Sequence, residues 1–272
     1  MIFSFTEKHW KQLIAVPFVL LIAASVLLVH NVVTKGSFLE RDVELRGGKI
    51  IEAEIRGGAG DMPGYAHVRT AAEGRRVLIE IPAEQDENEV LGVLRSSGVL
   101  VGEPTVRTFG PSLGEVFWKQ AQIALLVAFV AMSVFVFILF RSPVPSLIVI
   151  LAATTDIVVT IAVLSMLGVQ LSLSVLAALL MIIGYSVDTD ILLTSNLLRH
   201  GGDTNAKIRS SMITGLTMSL TALAALSAMY LFAGSFVLSQ MALVLIIGIV
   251  VDIPATWFAN AGLLRWWMMK RA

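Results

Sequence analysis

The sequence predicts a polytopic α-helical membrane protein: six transmembrane helices, with a small extracytoplasmic α+β domain between the first and the second. Three observations lead there. Hydrophobic residues make up 56% of the chain and charged residues only 15%, with a mean hydropathy of +0.83, values that belong to polytopic membrane proteins. Apolar runs at residues 12–30, 121–140, 143–167, 171–193, 211–233 and 236–264 each reach the roughly 20 residues that a bilayer core requires. Residues 31–120 are far more polar than anything around them.

Taken in order, residues 1–30 are a cytoplasmic N-terminus and first span, and 31–120 the exposed domain. Residues 121–264 are the five-span bundle, and 265–272 a cytoplasmic tail. Lys8 and Lys11, Arg141, the loop with Arg199, Lys207 and Arg209, and the tail with Arg265, Lys270 and Arg271 then share one side. The connections around 168–170 and 234–235 hold no Lys or Arg. That asymmetry places both termini in the cytoplasm and residues 31–120 outside. Trp10, Trp118, Trp266 and Trp267 fall near span ends, where indole rings prefer to lie. The first apolar run is longer than the core of a secretory leader, and no small-x-small site follows it, so it reads as a retained helix.

Within the exposed domain, residues 49–55 and 76–81 alternate as strands with one buried face. The glycine-rich stretch 57–64 is a loop. Residues 87–97 form a helix, introduced by Asp86 with Glu89 three residues on, and stopped by Gly98. Residues 99–108 form a last strand, and an extra strand near Val43 is possible. The order is that of a small sheet with one helix on a face, and it holds no catalytic constellation. Glu84, Asp86, Glu87 and Glu89 read as solvated surface.

Chemistry is carried by four aspartates inside the apolar runs: Asp156, Asp188, Asp190 and Asp252. None has a Lys or Arg in its own span, and an isolated carboxylate in hydrocarbon is costly enough to mark a functional site by default. Asp188 and Asp190 are two residues apart, about 200° around a helix, so they face different ways. Gly184, one turn before Asp188, offers a close approach to another helix, while Ser186 and Thr194 flank Asp190. The sequence favours Asp188 over Asp190 as the proton site. Thr154, Thr155 and Thr160 surround Asp156 as candidate partners. Pro254 frees a backbone carbonyl near Asp252. Thr214, Thr217, Ser219 and Thr221 are candidate lining residues. The chain has no cysteine and four scattered histidines, so no metal site, cofactor or thiol chemistry is expected. Nothing resembles a nucleic-acid footprint or a phosphate-cradling loop. The chain reads as a transport component and not an enzyme.

Two further motifs are turns on their own: Arg46-Gly47-Gly48, and Gly110-Pro111-Ser112-Leu113-Gly114, which reads as a hinge between exposed domain and membrane. Together with Gly184-Tyr185-Ser186-Val187-Asp188-Thr189-Asp190 they resemble the SecF family of the SecD/SecF protein-export complexes, in its archaeal form. The resemblance covers essentially the whole chain. It implies half of an RND-type transporter, with a SecD-like six-span subunit, a SecY-type channel, a translocating polypeptide and membrane lipid as partners. It also implies that protons crossing at the membrane aspartates drive movement of the exposed domains. Bacterial members read Gly-Tyr-Ser-x-Asn-Asp-Thr, which puts their carboxylate at Thr189 here, with acids on either side instead.

Three other readings use the same residues. A stand-alone RND-like solute or lipid exporter would form a homo-oligomer. An intramembrane aspartyl protease would pair Asp188 or Asp190 with Asp252, but its Gly-x-Gly-Asp context is absent. A structural subunit would use no ion chemistry.

Overall fold

The computed structural model describes residues 10–56, 66–70, 76–96, 100–198 and 203–271. The expected glycine loop at 57–64, the stop at Gly98, and Lys8, Arg199 and His200 lie outside these. Six helices are long and apolar enough to cross a membrane: Trp10–Thr34, Pro111–Phe140, Pro143–Met166, Leu173–Leu198, Thr204–Phe232 and Phe236–Lys270. We label α1 Ala15–Lys35, α4 Pro111–Phe140, α5 Pro143–Met166, α6 Leu173–Leu198, α7 Thr204–Phe232, α8 Phe236–Pro254 and α9 Ala261–Arg271. Between α8 and α9 the helix runs as a π-helical segment, Ala255–Asn260.

The polar region contains α2 Val43–Arg46, β1 Gly48–Ile55, β2 His67–Thr70, β3 Arg76–Ile81, α3 Glu87–Ser96 and β4 Leu100–Phe109. The possible strand near Val43 is instead the single-turn helix α2. Asp42 Oδ1 accepts from the Val43 N–H at 2.5 Å, capping the turn, and Gly47 ends it at φ 88°. β2 was not anticipated, because His-Val-Arg-Thr carries too little apolar alternation to announce a strand. The four strands form one antiparallel sheet in the order β2-β3-β1-β4.

β3 pairs with β1 so that Glu80 lies opposite Ile50 and Leu78 opposite Glu52. Alternate residues therefore face two different layers. Ile51, Ala53, Val77, Ile79 and Ile81 pack against Val90 and Leu94 of α3. Ile50 and Leu78 pack with Val43, Phe109 and Phe236, the last being the first residue of α8. The sheet thus sits between its own helix and the ends of the long helices.

Hydrogen bonds from backbone and side chains tie the two parts together. The Asp42 N–H donates to the Leu171 carbonyl at 2.9 Å and the Leu171 N–H to the Glu40 carbonyl at 2.7 Å. The Leu173 N–H, at the start of α6, donates to the Glu44 carboxylate at 3.1 Å. Arg76 donates to the Gly234 carbonyl in the α7–α8 turn.

In the bundle, α5, α6 and α8 are central, while α1, α4 and α7 leave most of their apolar surface uncovered. One apolar layer is formed by Leu164, Val175, Leu179, Ile182, Val244 and Leu245. A second, toward the other end, is formed by Leu193, Leu197, Met212, Trp257, Ala261 and Leu264.

Candidate functional site

Between those two layers three of the four aspartates come together. Asp156, Asp190 and Asp252 are 1%, 0% and 1% exposed. They reach one another through short polar side chains from two elements, α6 and the π-helical segment. Ser186 of α6 donates to Asp156 of α5. Thr189 of α6 lies 3.2 Å from Asp252 Oδ2 of α8. Thr256 lies 3.0 Å from both Asp190 Oδ1 and Asp252 Oδ1, and Asn260 donates to Asp190.

The π-helical segment is what aims Thr256 and Asn260. Positions 252, 256 and 260 advance steadily around an α-helix, by about 40° per step. The wider π turn offsets that drift and keeps all three on the face toward α6. Pro254 stands at its entrance, where it has no N–H to continue the α-helical ladder.

Counting protons shows what the arrangement can do. A threonine hydroxyl has one proton to donate. Thr256 has carboxylate oxygens at 3.0 Å on two sides, so one of Asp190 and Asp252 must itself carry a proton if both contacts are hydrogen bonds. Thr189 donates to the Ser186 carbonyl at 2.8 Å, which leaves its contact with Asp252 dependent on a proton from that carboxyl. No Lys or Arg makes an ion pair with any of the three among the described residues. Asp156 Oδ1, Asp190 Oδ2 and Asn260 Oδ1 are buried without a hydrogen-bond partner there. Buried carboxylates without a counter-charge are stabilised by taking up protons.

Asp188 does not join them. It lies exposed on the opposite side of α6, in one stripe with Met181 and Gly184, and no atom lies within 4 Å of where a Gly184 Cβ would be. Of the two, Asp190 is the one the fold encloses with Asp156 and Asp252. Close helix approach occurs elsewhere: a Cβ on Gly248 would meet Ile182 of α6 at 2.4 Å, and one on Gly215 would meet Trp257 at 2.2 Å. Thr154 and Thr155 bond back to their own helix carbonyls and leave Asp156 to Ser186. Thr214, Thr217 and Thr221 do the same on exposed positions, so they line no cavity with the aspartates. Tyr185 is half-buried. Thr256 and Asn260 were missed, although their spacing from Asp252 made a readable polar stripe.

The two glycine motifs meet each other. β4 ends at Phe109 and α4 begins at Pro111, a suitable first helical residue. Gly47 has φ 88° and ψ 148°, a region essentially confined to glycine, and a Cβ there would lie 2.6 Å from Pro111 Cα. A Cβ on Gly114 would lie 2.9 Å from the Gly47 nitrogen, and one on Gly48 2.6 Å from the Ile81 carbonyl oxygen. At the expected hinge the two motifs pack backbone to backbone. Arg46, beside it, lies 4.0 Å from the Glu80 carboxylate.

Residues 93–270 match the family model of the C-terminal region of the SecD/SecF protein-export membrane proteins. The chain is similar to the protein-export membrane protein SecF of Methanothermobacter thermautotrophicus, 38% identical with 97% of this chain and 95% of the relative covered. It is also similar to SecF of Pyrococcus furiosus, 36% identical over 97% of this chain and 93% of that one. Among solved structures it resembles SecDF, a translocon-associated membrane protein from Thermus thermophilus, with a TM-score of 0.75 at 24% identity. That match covers 96% of this chain and 38% of the solved one, and it shows the fold. With its six apolar helices, this chain is a multi-pass helical membrane protein and belongs to the SecD/SecF protein-export family, as a SecF-type member.

Proposed function

We propose that this chain works as the SecF half of an RND-type pair in protein export, and that protons moving through Asp156, Asp190 and Asp252 supply the energy. The observation that carries this reading is the buried carboxylate set, short of protons and without a basic partner. A SecD-like six-span subunit would cover the α6 stripe of Met181, Gly184 and Asp188, where an uncovered glycine leaves room for a second helix. The SecY-type channel would lie beside the pair, with the polypeptide in transit as its substrate.

We place the termini in the cytoplasm and residues 31–120 outside. Supporting this, Lys11, Arg141, Lys207, Arg209, Arg265 and Lys270 gather at one end of the bundle, away from the sheet. The exposed module then includes the first turns of α4, which begins well before the apolar run. At 30 residues, α4 is about 45 Å long, enough to cross the bilayer and still reach the sheet.

The test is capture of the tagged chain from gently solubilised native membranes. A stoichiometric second six-span protein with a larger exposed domain, together with channel subunits, is the expected result. Gly184→Leu, which meets nothing within the chain itself, should lose that partner while the chain still accumulates. Recovery of self-oligomers alone would favour a stand-alone solute or lipid exporter.

A further inference from the structure

The face of the sheet turned toward the bundle carries Ile50 and Leu78 beside charged residues, Glu52, Arg69, Arg107 and the fully enclosed Glu80. Glu80 is 0% exposed and shares its side of the sheet with Ile50 and Leu78. Arg69 of β2 places Nη2 2.5 Å from Glu80 Oε1 and Nη1 3.5 Å from Asp42 Oδ2. The same guanidinium donates to the side-chain oxygen of Gln170 in the α5–α6 turn and lies 6.0 Å from the Phe236 ring at the start of α8. One arginine of the sheet therefore holds two carboxylates and two outer turns of the bundle.

We propose that Asp42, Arg69 and Glu80 form a clasp that fastens the sheet to the outer turns of the helix bundle, and that proton uptake closes it.

The charge balance supplies the reason. Two carboxylates face the Arg69 guanidinium, whose side chain is 20% exposed, while Arg46, at 4.0 Å from Glu80, has a side chain 43% exposed. Burial, and then the neighbouring Asp42 carboxylate, push the Glu80 carboxyl up from its ordinary 4.5 to about 7, against the pull of Arg69 and Arg46. Burial also raises Glu44, opposed by the N–H of Leu173, with Asp42, Arg107 and Arg69 as its charged neighbours. Arg107 itself faces Glu52 at 3.5 Å. On β2 the register partner of Glu80 is His67.

The sign follows from linkage. If the sheet lifts from the bundle, Glu80 meets water and returns toward its ordinary acidity. The closed state then binds the proton more tightly, so acid favours closure, and closure weakens as pH rises through about 7. Between pH 5 and pH 8 the closed-to-open ratio should fall on the order of fiftyfold. The clasp lies outside the six apolar helices and does not depend on how protons cross them.

The chain has no native cysteine, so Ala83→Cys on the sheet side and Leu167→Cys on the bundle side give one spin-label pair in the full chain, held in lipid nanodiscs. Pulsed electron-resonance distances from pH 5 to 9 should show one short population at low pH, and a longer one that grows with a midpoint near neutrality. Glu80→Gln should keep the short distance throughout, and Asp42→Asn, which removes the like charge, should move the midpoint to lower pH. A wild-type distance that does not change with pH overturns the proposal. So does an unaltered midpoint in both variants, or loss of the transition in His67→Gln.

Discussion

Thr256 sits between two carboxylates with one proton to give, and that shortage makes the surrounding residues interdependent. Replacing Asp190 by Asn removes one of the two groups able to hold the missing proton but keeps the shape of the site. Gradient-dependent export in membrane vesicles should fall on the order of tenfold in Asp190→Asn, and by less than about twofold in Asp188→Asn, whose carboxylate lies outside the network. Equal losses would remove the distinction drawn from burial. The candidate aspartates were legible because a carboxylate in an apolar run is conspicuous. Which of them meet was not, because the two-residue offset says that Asp188 and Asp190 diverge, not which one faces inward. Thr256 and Asn260 escaped because hydroxyls and amides are unremarkable in apolar helices, even though they follow Asp252 at steps of four.

At the scale of elements, the joint between α2 and α4 rests on glycines that allow backbone to touch backbone. Gly47→Ala should destabilise the small sheet domain by about 1–3 kcal/mol through its backbone conformation alone, before the contact with Pro111 is counted. Gly92 lies on the exposed face of α3 with nothing within 4 Å, so Gly92→Ala should raise stability by about 1 kcal/mol. Thermal unfolding of the two variants, followed by protease sensitivity of the domain, checks both signs. β1, β3, β4 and α3 were readable from alternation and capping. The start of α4 was not: Pro111–Phe140 is one helix, but hydropathy registers only its apolar part, and its first turns were counted with the polar domain, beyond a turn entering a helix. The meeting of two motifs from opposite ends of the domain is a tertiary fact that neither motif carries alone.

For the molecule as a whole, the placement of the exposed module can be tested in intact cells. A single cysteine at Ala83, in the turn after β3, should react with a membrane-impermeant maleimide added outside. One at Met269, which is 64% exposed near the end of α9, should react only after the membrane is opened. The reverse pattern would invert the orientation. The six long apolar helices were legible because solvent preference is written into composition. How the insertion rests on the bundle was not, because it depends on single contacts. Those contacts lie at three separate places: the α5–α6 turn at Gln170 and Leu171, the α7–α8 turn at Gly234, and the first turn of α4 against Gly47. Three supports define a plane, as the legs of a tripod do. A small rise or fall of any one helix end therefore tips the sheet about the line joining the other two, so that a displacement along the membrane normal becomes a sideways swing of whatever the sheet carries.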